Sequence, residues 1–170
     1  MSKINIIVAD ITTIPVDAIV NAANRSLLGG GGVDGAIHRA AGIRLYEECK
    51  TLGGCETGKS KITDAYDLPC KKVIHTVGPV WNGGGRGEGA LLKSCYDTCL
   101  DLVEQHRLHS IAFSCISTGI YGFPKDKAAI IALKTISDRL KSGLDAEVTI
   151  CCFSEADKSY YLSAKTTLKL

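Results

Sequence analysis

Asn24 and Asp34 are the residues of the stretch 18–41 whose types could do chemistry, an amide that grips hydroxyls and a carboxylate that takes protons, and between them run Gly29, Gly30, Gly31 and Gly32. Consecutive glycines carry no side chain to hold the backbone off a ligand, and they reach backbone angles closed to other residues. Residues 33–41 are alanine-rich with Ile37 and Ala41 four apart. This spacing predicts a helix that opens near Gly32 and turns its free N–H groups back onto the glycine loop, where they favour an anion. Asp34 then falls in the first helical turn. A carboxylate there either complements the positive end of the helix dipole or faces the bound anion because the chemistry requires it, and position alone leaves both readings open.

The elements that must position this pair follow from hydropathy and punctuation. Residues 4–9 form a β-branched run that ends at Asp10, and Ala18 to Val20 lack polar alternation, as in a strand covered on both faces. Residues 42–52 look helical. The segment 53–60 then spells the letters of a phosphate-binding P-loop, but helix-type residues precede it and the alternating run 61–66 follows it, so it reads as a turn before a strand. Gly30, Gly32 and Gly35 likewise fit a dinucleotide pattern whose partner acid about 20 residues downstream is lacking.

Residues 72–77 predict another strand, with His75 as a hydrogen-bonded core residue, and residues 82–89 a flexible loop holding five glycines. Leu91, Leu92, Cys95, Cys99, Leu102 and Val103 recur at helical spacing, which predicts an amphipathic helix over 88–106. The strand 110–114 runs into a second special loop, with Ser117, Thr118, Gly119, Ile120, Tyr121 and Gly122 before Pro124, a helix-start signal. In the helix after it, Ala128, Ile131, Ala132, Thr135, Ile136 and Leu140 mark the buried face. Residues 147–153 make the last strand, and Ser154 is placed to cap a terminal helix.

With 170 residues, 45% hydrophobic and 22% charged, the chain is expected to form one domain over 1–170 with a sizeable core. The net charge of +2 gives no footprint for nucleic acid or a membrane surface. Eight cysteines without a Cys-x-x-Cys, behind an N-terminal stretch that reads as a strand and not as a signal peptide, predict a reducing cytoplasm. The histidines show no ligand spacing with cysteines, so no structural metal is expected, and no apolar run is long enough for a membrane span.

Strands alternating with helices imply a three-layer α/β/α fold with a mixed, largely parallel central sheet. Ligands of such sheets bind beyond the carboxyl ends of the strands. That rule brings Asp10, Asn24, the loop at Gly29, the loop at Ser117 and Phe153 to one edge. Two anion-accepting loops, an aromatic and acids at either side suit an elongated nucleotide diphosphate.

At Val20-Asn-Ala-Ala-Asn24, the run from Gly29 to Asp34 with Gly35-Ala-Ile-His38, Ile74-His-Thr-Val-Gly-Pro79 and Ile116-Ser-Thr-Gly-Ile-Tyr-Gly122, the chain resembles the macrodomain family, in the branch of bacterial O-acetyl-ADP-ribose deacetylases and mono-ADP-ribosyl hydrolases. The resemblance covers nearly the whole length. It implies that Asp10, with the Ile11 backbone, meets the adenine amino group and that Phe153 stacks on the adenine. It implies too that Gly32 and Val33 on one side and Ser117, Thr118, Gly119, Ile120 and Tyr121 on the other cradle the diphosphate and terminal ribose. Asn24 would hold that ribose and Asp34 would activate or orient a water.

The activity implied is hydrolysis of esters on the terminal ribose, without a cofactor, with ADP-ribose, O-acetyl-ADP-ribose and mono-ADP-ribosylated proteins as partners. The rival readings are a reader that binds ADP-ribose without turnover and a regulatory protein acting through contacts. Two positions depart from the pattern: Ala9 precedes Asp10 in place of glycine, and Ser114-Cys115 replaces a proline-containing pair.

Overall fold

A computed structural model describes residues 4–170; Met1, Ser2 and Lys3, counted above in the N-terminal stretch, lie outside the described residues. Six strands, β1 (Ile4–Val8), β2 (Ala18–Ala23), β3 (Ser60–Asp64), β4 (Lys72–Val77), β5 (Ser110–Phe113) and β6 (Glu147–Cys152), form one sheet in the order β1-β6-β5-β2-β4-β3. All neighbours pair parallel except β3, which is antiparallel to β4 at the edge. Helices α1 (Gly32–Ala41) and α2 (Ile43–Thr51) cover one face, and α3 (Glu88–Gln105), α4 (Lys125–Lys141) and α5 (Glu155–Thr167) the other. This is the expected three-layer α/β/α architecture.

Each face has its own core. Ile19, Ile37, Leu45 and Val73 are fully buried on the α1–α2 side, and Val20, Ile74, Leu92, Phe113 and Leu133 on the other, which accounts for the unalternating apolar runs of β2 and β4. Each such side chain contributes about 1.5–3 kcal/mol by leaving water. Burial of Ile37 therefore fixes the rotation of α1 and sends Asp34, three residues earlier on the same helix face, toward the sheet.

The helix boundaries fall close to those expected. Ser154 accepts a hydrogen bond from the Asp157 N–H and so caps α5. In α4 the buried face includes Ala129 and Leu133, while Ile131 and Leu140 are half-buried at its margin. Residues 53–60 form a turn ahead of β3, where the Lys61 ammonium donates to the Leu52 carbonyl at the end of α2 (2.8 Å). An edge strand, not a helix, follows, so the P-loop letters have no phosphate-binding structure.

The loop expected to be flexible is held from within. Glu88, only 1% exposed at the start of α3, accepts the N–H groups of Asn82 (2.8 Å), Gly84 (3.0 Å) and Arg86 (2.7 Å). The Asn82 N–H, with smaller contributions from those of Glu88 itself, Gly84 and Arg86, holds the Glu88 carboxyl down at about 2 despite its burial. Glycine content marked this segment as loose because the contacts that fix it run from its own Glu88 back to Asn82, Gly84 and Arg86, which glycine counting does not register.

Candidate active site

The carboxyl ends of β1, β6, β5, β2 and β4 share one edge of the sheet. At the β5–β2 boundary the connections part, α1 leaving to one face and α4 to the other, and the two loops between them form the walls of a crevice. A cavity of about 320 Å³ lies there, lined by Asn24, Gly32, Val33 and Asp34 on one wall and Ser117, Gly119, Ile120 and Tyr121 on the other. Gly78, at the end of β4, is part of the floor. A side chain at Gly78 would overlap the Ser117 hydroxyl and the Ile116 side chain, so a larger residue there must displace the second wall.

Both walls present amides. Gly31 caps α1 without a side-chain hydrogen bond, and the first helical bond runs from Gly35 N–H to the Gly31 carbonyl (3.3 Å). The N–H groups of Gly32, Val33 and Asp34 therefore have no acceptor among the described residues. Opposite, bonds from Phe123 N–H to the Ser117 carbonyl and from Gly122 N–H to the Gly119 carbonyl close the loop, with Ser117 at a φ of 65°. That winding leaves the N–H groups of Thr118, Gly119, Ile120 and Tyr121 without a protein acceptor among the described residues, a second anion-accepting nest. The loop is braced from below, since Trp81 N–H donates to the Tyr121 carbonyl (2.8 Å) and the Trp81 ring packs on Phe123.

Asp34 is 4% exposed, and its two oxygens differ. Oδ1 accepts from the Asn21 amide (2.8 Å) and lies 3.4 Å from His38 Nε2. Oδ2 has no hydrogen bond to another described residue and lies on the side of Gly30, as does Asn24 Nδ2: a Cβ built on Gly30 would stand 3.2 Å from the first and 3.3 Å from the second. Burial pushes the Asp34 carboxyl above its ordinary value, against lowering contributions from the Asn21 hydrogen bond and from His38. A carboxylate with one oxygen anchored and the other open toward an amide-lined cavity is equipped to take a proton from water.

Asn24 also serves its own loop. Its Nδ2 donates to the Gly29 carbonyl (2.9 Å), and its Oδ1 accepts from Ser26 N–H (3.1 Å) and Oγ (2.6 Å). The amide nitrogen has two hydrogens, which leaves one N–H for a ligand.

Asp10, Ile11, Thr118 and Phe153 stand outside the cavity lining. Asp10 caps the short 3₁₀ turn Ile11–Thr13, its Oδ1 accepting from the Thr12 hydroxyl (2.7 Å) and N–H (3.0 Å), and the hydroxyl first among these holds its carboxyl below the usual range. Ile11 is buried beneath it, and Phe153 projects beyond β6 with 93% of its surface exposed. They lie at the carboxyl ends of β1 and β6, the side of the sheet on which the cavity opens. Thr118 turns its hydroxyl to the Cys115 carbonyl (3.2 Å).

Sequence reasoning gave no role to Asn21 or His38, although both stand beside Asp34. Asp34 and His38 are separated by one helical turn, so they share a face. Asn21 is a fully buried polar residue within an otherwise apolar strand, which demands a partner.

Fold and site together define a class, an α/β/α protein that opens two amide-lined loops and a buried carboxylate over the switch point of its sheet. Residues 20–132 match the Macro domain family model, and the chain belongs to that family. It is 58% identical over 162 residues to a macro domain-containing protein of Chlorobaculum tepidum, covering 95% of this chain and 94% of that one. It is 54% identical over 162 residues to the ADP-ribose glycohydrolase MACROD1 of Rattus norvegicus, covering 94% of this chain and 63% of that protein's length. A solved structure of the Oceanobacillus iheyensis macrodomain with ADP superposes with a TM-score of 0.93 at 45% identity, covering 96% of this chain and 90% of the other. Among the described residues no helix is long and apolar enough to cross a membrane.

Proposed function

We propose that this protein is a hydrolase that binds ADP-ribose and cleaves an ester on its terminal ribose, acting on O-acetyl-ADP-ribose and on mono-ADP-ribose carried by acidic protein side chains. The observation that carries this reading is Asp34, a buried carboxylate whose free Oδ2 faces a cavity walled by unpaired amides. A site built only to hold a diphosphate gains nothing from a carboxylate beside it, because the two repel. Similarity to a protein named as an ADP-ribose glycohydrolase supports the reading from a separate direction.

In this reading the adenine lies over β1 and β6, between Asp10 with Ile11 and the exposed ring of Phe153. The diphosphate crosses the crevice on the N–H groups of Gly32 and Val33 and on the loop from Ser117 to Tyr121. Asn24 gives its free N–H to the terminal ribose and holds it against Asp34. Asp34 takes one proton of a water as the water oxygen bonds to the ester centre, the ester C–O bond breaks, and the departing oxygen takes that proton back from Asp34. The chain acts as one macrodomain over 1–170, in the cytoplasm, where its eight free thiols stay reduced.

The test is to incubate O-acetyl-ADP-ribose with the wild type and with Asp34→Ala while calorimetry measures free ADP-ribose affinity on both. Turnover by the wild type alone, with binding retained by both, is the expected result. Tight binding without turnover by the wild type would make the protein a reader.

A further inference from the structure

Behind Asp34, on the side away from the cavity, the polar chain does not stop at Asn21. The Asn21 amide nitrogen that donates to Asp34 Oδ1 (2.8 Å) also lies 3.1 Å from His75 Nδ1. The other ring nitrogen, Nε2, lies 3.0 Å from the Thr63 hydroxyl, which itself donates to the Asp64 carbonyl (3.0 Å). Asn21 and His75 are fully buried on β2 and β4, and Thr63 is 2% exposed on β3. Three adjacent strands thus carry one line of hydrogen bonds from the edge of the sheet to the carboxylate. Asn21 Oδ1 has no partner among the described residues, so there only its two N–H groups hold the amide in place.

The Thr63 hydroxyl has one hydrogen, and with that hydrogen on the Asp64 carbonyl, which only accepts, the hydroxyl accepts from His75. His75 therefore carries its hydrogen on Nε2 and presents Nδ1 as an acceptor. An acceptor at Nδ1 demands the NH₂ side of Asn21, and the same NH₂ then has a second hydrogen for Asp34. The opposite tautomer, with hydrogen on Nδ1, would draw the Asn21 oxygen inward and set it against the carboxylate.

We propose that His75 is a positioning residue for this reaction: as the neutral Nε2–H tautomer, oriented by Thr63, it fixes the Asn21 amide with its NH₂ toward Asp34 and so keeps the Asp34 carboxylate ionised and aimed. The proposal rests on the reading of Asp34 as the group that activates water. The titratable groups around His75 permit it. His38 on α1 stands 6.4 Å away between ring centroids, Asp34 lies beyond Asn21, and the Cys49 thiol of α2, 3.8 Å from Nε2, is pushed up to about 11 by its burial and stays neutral. Burial first, and then His38, push His75 down to about 3, so the ring stays uncharged across the working range of pH.

Long-range proton–nitrogen NMR of the wild type with ¹⁵N-labelled histidine tests the tautomer directly, without reference to activity. The expected spectrum shows His75 with hydrogen on Nε2 and a bare Nδ1 from mildly acid to mildly alkaline pH; hydrogen on Nδ1 overturns the proposal. The second arm compares His75→Phe, which removes both nitrogens, with His75→Asn, whose side-chain oxygen can accept where Nδ1 does. His75→Phe is expected to lower kcat at least about tenfold with ADP-ribose affinity kept and to move the acid limb of the pH–rate profile upward, because Asp34 loses a secured donor. His75→Asn restores both. Equal losses in the two variants that track their melting temperatures would reduce His75 to a packing residue. Failure of the wild type to turn over any ester would refute the hydrolase reading instead, and the tautomer would remain readable.

Discussion

Residues 29–32 and residues 82–88 are both rich in glycine, yet they dispose of their amides in opposite ways. In 82–88 three N–H groups close on the carboxylate of Glu88, so the loop carries its own anion. Where 29–32 runs into α1, the amides of Gly32, Val33 and Asp34 meet no acceptor among the described residues and line a cavity. The two carboxylates tell the same story. Glu88 and Asp34 are 1% and 4% exposed, but backbone donors, the Asn82 N–H first, outweigh burial at Glu88 while one amide and a histidine do not at Asp34, and their carboxyls shift in opposite directions. Glycine makes a loop able to hold an anion; whether the anion is a side chain or a ligand depends on what the next helix supplies.

The largest effect is expected at Asp34. Asp34→Asn keeps the shape and removes the base, so turnover should fall by about 10²- to 10⁴-fold with ADP-ribose affinity retained, as read by steady-state kinetics and calorimetry. Its melting temperature should rise at neutral pH. The raised carboxyl means that the folded protein holds the proton more tightly than the unfolded chain. The resulting stability is present below the ordinary value of 3.8 and is lost as pH rises through the raised folded value, so the neutral asparagine is spared the cost of the buried charge. An unchanged turnover would remove the contrast between the two carboxylates.

Next comes Phe153→Ala. Stacking of a base on an aromatic is worth about 1–3 kcal/mol, so ADP-ribose should bind roughly 5- to 150-fold more weakly, and with the ring 93% exposed the melting temperature should not move.

The glycines themselves sharpen the comparison. A Cβ at Gly35 would stand 2.5 Å from the Gly30 carbonyl oxygen, so Gly35→Ala must displace the loop. It should cost about 1–3 kcal/mol in stability and about tenfold in affinity. Gly85 has nothing within 4 Å of that position, and Gly85→Ala should change stability by less than about 0.5 kcal/mol and leave binding alone.

The smallest effect on activity is expected at Glu88, where Glu88→Gln should lower the melting temperature and leave catalysis near wild type. The folded carboxyl lies below its ordinary value, so its contribution is complete above 4.5 and vanishes as pH falls toward about 2. Thermal melts across that window should show the two proteins converging.

Much of this was legible in the sequence for a physical reason. Strand runs such as 72–77 and the cap at Ser154 are local signals, and the parallel-sheet rule carries Asp10, Asn24, Ser117 and Phe153 to one edge without any contact being known. The resemblance to macrodomains, carried by four motifs, supplied the roles. What escaped were pairings between distant residues. Asn21 and His75 face each other because β2 and β4 pair in register, Asn21 opposite His75, and β3 sets Lys61 opposite His75 so that Thr63 falls one pleat away. No window of sequence contains that line. Glu88 was hidden differently: a first-turn acid ordinarily signals a helix start, and its reach back over six residues to Asn82 is visible only in the fold.

The most direct measurement of the central claim is an amide NMR titration with ADP-ribose. Binding is predicted to shift the amide resonances of Gly32, Val33 and residues 118–121 and to leave those of Asn82, Gly84 and Arg86 in place. Shifts concentrated in 82–88, or none at 32–33, would contradict it.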